Sequence, residues 1–118
     1  MLEVSDLNAS YGVIPALNGV SFDIRTSEIV TILGSNGTGK STILNVIQGM
    51  MPGSGGRILF RDEAIHGLPS HKVVARGIVQ VPEGMKSFPF MTVKENLILG
   101  AYRRASWSKR KQTLEYVY

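Results

Sequence analysis

The chain has 118 residues, 43% hydrophobic and 8% aromatic, with a net charge of +4, which is enough for one domain with a real apolar core. It has no cysteine, which suits a reducing compartment and excludes a disulfide framework. The opening Met1-Leu2-Glu3-Val4-Ser5-Asp6 lacks the features of a signal peptide, and no apolar run approaches bilayer-spanning length, so a soluble or peripheral protein is expected.

In chain order, residues 2–7 and 17–24 read as strands, the second alternating Leu17, Gly19, Ser21 and Asp23 with Val20, Phe22 and Ile24. A turn-rich stretch with Gly12 and Pro15 separates them. Residues 28–33, E-I-V-T-I-L, are apolar and β-rich and predict a strand. Residues 34–41 follow as G-S-N-G-T-G-K-S, and residues 40–51 then place Ile43, Ile47 and Met50, with Leu44 and Met51, at helical spacing. The run 52–56 breaks the chain, 57–61 resumes as a strand, and 69–76 predicts a short helix opened by Pro69 and stopped at Gly77. Residues 78–81 read as a buried strand ended by Pro82. Thr92-Val93-Lys94-Glu95 is a capping-box pattern, opening a helix with Val93, Leu97 and Ala101 on one stripe. Antiparallel strands followed by alternating helix and strand predict an α/β layered core with a small antiparallel β subdomain.

Residues 34–41 match the phosphate-loop (Walker A) pattern G-x-x-x-x-G-K-[ST], between a predicted strand and a predicted helix as that motif requires. Gly34, Gly37 and Gly39 can take backbone angles closed to other residues, so that the N–H groups of the loop, including Ser35, Asn36 and Thr38, turn inward around a polyphosphate. The loop ends at a helix N-terminus, which favours negative charge, and Lys40 adds a mobile cation. Ser41 offers a hydroxyl to Mg²⁺, with Thr42 a neighbouring hydroxyl of less certain use. Chance matches to the fixed positions occur in about one in a few hundred chains of this length, so a nucleotide-binding chain is expected.

Other features have plainer readings. The positive excess is confined to the last sixteen residues, where Arg103, Arg104, Lys109, Arg110 and Lys111 face Glu115 alone. That cluster reads as a solvated helix face, with no nucleic-acid partner expected. Asp62-Glu63 at the end of Ile58-Leu59-Phe60 has the look of a Mg²⁺-binding carboxylate pair. It reads instead as a solvent-facing hairpin turn, because it follows the phosphate-loop helix too soon and Arg61 interrupts the apolar run. His66 and His71 lack metal-ligand spacing. Residue physics leaves Tyr11 open between a turn aromatic and a functional ring, and Gln80 between an ordinary strand residue and a functional amide.

Leu2-Glu3-Val4, Tyr11-Gly12, Ala16-Leu17-Asn18-Gly19-Val20-Ser21-Phe22, residues 34–42, Gly56-Arg57-Ile58-Leu59-Phe60 and Gln80-Val81-Pro82-Glu83-Gly84 together resemble the ATP-binding subunits of ABC transporters. Residues 77–84 and 88–102 resemble the branched-chain amino acid importer branch. The resemblance covers the whole chain; Thr38 stands where Ala is commoner in the family's phosphate loop. It implies the N-terminal part, residues 1–118, of one nucleotide-binding domain with a P-loop NTPase core of ABC type. The helical subdomain would begin near residue 85 and be incomplete.

On that resemblance Tyr11 would stack on adenine, Lys40 and the loop amides would hold the phosphates of ATP, and Ser41 and Gln80 would contact Mg²⁺, Gln80 or the attacking water. Stacking alone makes Tyr11→Phe nearly silent, whereas a hydrogen-bonding role for the hydroxyl makes it costly. Glu83 and the segment after it would lie toward transmembrane permease subunits, with a second ATP-binding subunit as homo- or heterodimer partner, on the cytoplasmic face of the cell membrane. The family's signature motif, its apolar strand ending Asp-Glu (Walker B) and its switch histidine do not occur in this sequence, so absent or trace hydrolysis is expected of the isolated chain. Two alternatives stand beside the importer subunit. One is a non-catalytic nucleotide-binding or assembly fragment; the other is a different small phosphate-loop NTPase, disfavoured because neither D-x-x-G nor N-K-x-D occurs.

Overall fold

Strand β1 (Leu2–Tyr11) is central to the sheet, paired antiparallel on one side with β2 (Ile14–Ile24) and on the other with β3 (Gly55–Phe60). In this computed structural model, which describes residues 1–118 except Met85, Arg103 and Tyr118, a short β4 (Glu63–Ala64) completes the order β2-β1-β3-β4. Val4 and Leu7 are three residues apart, yet both are buried, which a regular period of two forbids. An irregularity between them resolves this: Asp6 takes φ 50° and the register to β2 shifts, so the alternation restarts on the core side. Side chains fill the interrupted ladder, the Asp6 N–H donating to Ser21 Oγ at 2.9 Å and the Gly19 N–H to Asn8 Oδ1 at 2.9 Å.

Helix α1 (Lys40–Ile47) supplies the other half of the core. Ile43, Val46 and Ile47, at i, i+3 and i+4, are buried in one cluster with Val4, Leu7, Ala9, Leu17, Ile58 and Ile65. Each such Val, Leu or Ile side chain contributes about 1.5–3 kcal/mol by leaving water. The predicted stripe was partly misplaced: Val46 is the missed core residue, while Leu44 and Met50 are exposed. The β3–β4 hairpin turns at Arg61 and Asp62, with φ of 51° and 65°. Two successive positive φ values define the primed turn that matches strand twist. Helix α2 (Ser70–Ala75) forms as expected, with Pro69 as its extended N-cap.

Two expected strands differ. Residues 28–33 and 78–81 join no ladder among the described residues, and Ile29 is 95% exposed, Leu33 88% and Val81 91%. An apolar run is only half of a strand; its N–H and C=O groups also need neighbouring backbone. No described strand pairs with them to supply it.

Residues 1–80 and 81–118 form two compact units. In the second, α3 (Val93–Leu99) opens with the expected capping box: Thr92 Oγ1 accepts from the Glu95 N–H at 3.2 Å, and the Thr92 N–H donates to the Glu95 carboxylate at 2.8 Å. Asn96 ties residues 88–92 onto this helix, its Oδ1 accepting from the Phe88 N–H at 2.8 Å and its Nδ2 donating to the carbonyls of Phe88, Met91 and Thr92. The predicted apolar stripe on this helix is not a core face, since α3 has no buried residue. Helices α4 (Arg104–Trp107) and α5 (Arg110–Val117) follow, with the Arg110 guanidinium 4.2 Å from the centroid of the Trp107 ring.

Candidate functional site

Three stretches of the first unit meet α1: the phosphate loop and the β1–β2 hairpin tip at its start, and the chain around Gln80 one turn further on. Gly37 and Gly39 have φ of 83° and 86°, the left-handed region in which an L side chain is strained. A Cβ on Gly39 would also lie 2.7 Å from the Ala16 carbonyl oxygen and 2.8 Å from Leu17 Cδ2. The glycine therefore serves twice: it turns the loop into the helix and lets the turn press against β2. Because Gly39 is the N-cap, no side chain caps α1. The N–H groups of its first turn stay available to an anion, with the helix dipole behind them.

Residues 34–38 are exposed, whereas Gly39 and Lys40 are half-buried. Lys40 Nζ folds over the loop, donating to the Gly34 carbonyl at 2.8 Å and the Ser35 carbonyl at 2.6 Å. The Thr38 hydroxyl donates to that same Ser35 carbonyl at 2.8 Å. Thr38 thus bonds back to the loop's own backbone. Ser41, on the first turn of α1, is exposed.

Tyr11 ends β1, opposite Ile14 across the hairpin, and is 54% exposed. Its hydroxyl lies 3.3 Å from Thr42 Oγ1, which is buried. Gln80 Nε2 donates to Asn45 Oδ1 at 3.5 Å, while Gln80 Oε1 is buried without a hydrogen-bond partner among the described residues. Asn45 follows Ser41 by four residues and so lies one turn along the same face of α1. Gln80 is thereby tied to α1 one turn beyond Ser41. Mg²⁺ is a hard cation that takes oxygen ligands, so a serine hydroxyl and an amide oxygen suit it, with phosphate and water oxygens completing the shell.

Glu63 is engaged elsewhere, accepting from Arg76 Nε at 3.1 Å, and Asp62 sits in the hairpin turn; neither joins this group. No cluster of three or more acidic, histidine or cysteine side chains occurs among the described residues. A concavity of about 490 Å³ in the same unit lies past the C-terminal end of α1, lined by residues such as Val46, Pro52, His66 and Pro69, and no phosphate-loop residue borders it. Asn45, which meets Gln80, is the one residue of this group that the sequence did not single out, since its contact carries no signal short of the fold.

A strand hairpin, a glycine turn and an uncapped helix around one lysine define a phosphate-loop core. A family model described as ABC transporter matches residues 17–117, and the chain belongs to that family. The high-affinity branched-chain amino acid transport ATP-binding protein BraG of Pseudomonas aeruginosa is 40% identical over 86% of this chain and 44% of its own length. The solved ADP conformation of an ATP-binding cassette of an ABC transporter has a TM-score of 0.73 at 35% identity, covering 85% of this chain and 40% of that one. The dimeric structure of a bacterial ABC transporter cassette has a TM-score of 0.79 at 28% identity, covering 98% of this chain and 55% of that one. The chain therefore spans less than half the length of the curated relative and of the ADP-bound cassette. Among the described residues no helix is long and apolar enough to cross a membrane.

Proposed function

We propose that the chain binds Mg-ATP at residues 34–42, as the N-terminal part of the energy-coupling ATPase subunit of a branched-chain amino acid importer. The observation that carries the nucleotide reading is the convergence of Lys40, the uncapped N-terminus of α1 and the glycine turn on one exposed loop. In this reading Gly34, Ser35, Asn36, Gly37, Thr38 and Gly39 present backbone N–H groups to the phosphates, and Lys40 leaves its carbonyl partners to reach the β and γ oxygens. Ser41 and Gln80 hold Mg²⁺, which supplies charge neutralisation at the phosphates. Tyr11 receives the adenine on its exposed ring.

The importer reading rests on the identity to BraG over most of the chain. The partners are then transmembrane permease subunits and a second ATP-binding subunit, at the cytoplasmic face of the membrane; the dimeric cassette of similar fold supports the second of these. The division of labour within the cassette has support too. Residues 28–33 and 78–81 have the composition of buried parallel strands but no ladder partner among the described residues, as expected where further strands of a longer domain lie beside them.

Binding and hydrolysis come apart in this chain. Phosphoryl transfer needs groups that orient water, and the carboxylates of Asp62 and Glu63 stand in a hairpin with Glu63 paired to Arg76. Calorimetry with Mg-ATP tests binding: Lys40→Ala removes a charge-assisted contact and is expected to cost about 1.5–3 kcal/mol. Equal affinity of the two proteins would exclude Lys40 from the site. A phosphate-release assay is expected to show no more than trace turnover; turnover abolished by both Lys40→Ala and Glu63→Gln would contradict that division.

A further inference from the structure

We propose that Thr42 is a positioning residue for base recognition: its hydroxyl holds the Tyr11 ring in the orientation that receives the base, coupling the adenine end of the site to the phosphate-loop helix. The inference rests on the nucleotide reading of residues 34–42 and adds to it a role for one side chain and one hydroxyl. Its basis is the 3.3 Å approach of Tyr11 OH to Thr42 Oγ1 and the contrast in their surroundings. Thr42 is 5% exposed and sits in the first turn of α1, a β-branched side chain with few rotamers. Tyr11 is 54% exposed and projects from the end of a strand whose hairpin turns at once through Gly12, φ 60°. An exposed ring on a hairpin tip explores several rotamers; one bonded at its far end to a buried, stiff partner does not.

Within a helix, a threonine hydroxyl can turn back to a carbonyl three or four residues earlier. Here it is the buried partner of an exposed ring instead. A ring already fixed loses less freedom when a base stacks on it, so the hydrogen bond appears in the affinity for ligands that carry a base. A polyphosphate without a base gains nothing from it. The hydroxyl of Tyr11 therefore matters, and the expectation that Tyr11→Phe is nearly silent gives way to its opposite.

The test is calorimetry of the wild-type protein, Tyr11→Phe, Thr42→Val, the double variant and Thr42→Ser with Mg-ATP and, separately, Mg-tripolyphosphate. Each of the two single variants is expected to lower the preference for ATP over tripolyphosphate by about two- to tenfold, the range of one neutral hydrogen bond. The double variant should fall no further than either single one, since both remove the same bond. Thr42→Ser, which keeps the hydroxyl, should restore most of the preference. An unchanged preference in Tyr11→Phe, additive losses in the double variant, or equal weakening of both ligands by Thr42→Val would overturn the inference, the last by assigning Thr42 to the phosphates. If the wild-type protein binds ATP and tripolyphosphate, those outcomes overturn this inference alone; if it binds neither, the nucleotide reading falls and takes this one with it.

Discussion

Strand β3 and residues 28–33 make an instructive pair. β3, G-G-R-I-L-F, opens with two glycines and an arginine, poor material for a strand, yet it pairs with β1 over its length and buries Ile58 completely. Residues 28–33, E-I-V-T-I-L, are richer in β-branched and apolar side chains, yet they join no ladder and leave Ile29 and Leu33 in water. β-propensity describes a fit to a pleated, half-buried surface and has no effect where that surface is missing. Position beside β1 outweighs composition.

The sharpest way to break that comparison is to truncate one side chain in each region. Ile58→Ala should cost about 2–5 kcal/mol, the range for a buried aliphatic replaced by alanine, whereas Leu33→Ala should stay within about 0.5 kcal/mol, as exposed positions do. Urea midpoints at equal slope decide it. An equally large loss for Leu33→Ala would mean that residues 28–33 pack against something in solution.

A second comparison sets two glycines with the same sign of φ against each other. Gly39→Ala adds strain at φ 86° and drives a Cβ to 2.7 Å from the Ala16 carbonyl, while Gly12→Ala at φ 60° meets open space. Gly12→Ala should therefore cost only the left-handed penalty of about 1–2 kcal/mol, and Gly39→Ala clearly more. Thermal unfolding of the two variants measures the difference; equal losses would show that the loop does not press on β2.

The smallest effect concerns α3. The Thr92 hydroxyl donates to the Glu95 carboxylate at 2.7 Å, and with the Thr92 backbone N–H it holds the Glu95 carboxyl below its ordinary pKa. A carboxyl lowered in the folded state adds stability that is complete above its unfolded pKa and disappears as pH falls through the folded one. The cap of α3 should thus weaken only below the usual glutamate range, and Glu95→Gln should flatten that dependence. Carboxyl-carbon NMR titration of Glu95 reads it directly, and a titration midpoint at the ordinary value would remove the cap's acid sensitivity.

Much of this was legible in the sequence, for physical reasons. The phosphate loop and the capping box are local codes, in which spacing and residue type decide the backbone within a few positions; the hairpin turn expected at Asp62-Glu63 stands one residue earlier, at Arg61-Asp62, with Glu63 in β4. Residues 28–33 and 78–81 were misread because a ladder is a property of two segments and the sequence shows only one. The core-facing sides of Val4 and Leu7 were hidden for a similar reason: the irregularity at Asp6 resets the period. In the site, Lys40, Ser41 and the glycines follow from one motif. The Tyr11–Thr42 contact and the Asn45–Gln80 contact join residues about thirty positions apart, and nothing in the local pattern announces either.

The central claim is that the chain receives a nucleotide on the loop at the start of α1 and not in the concavity past its other end. Amide chemical-shift mapping of the isotopically labelled protein during titration with Mg-ATP tests it most directly. The account predicts the largest shifts at residues 36–42, with further shifts at Tyr11 and Gly12 and little change at 49–56 and 66–69. Shifts concentrated at 49–56 and 66–69, or no saturable change at 36–42, would contradict it.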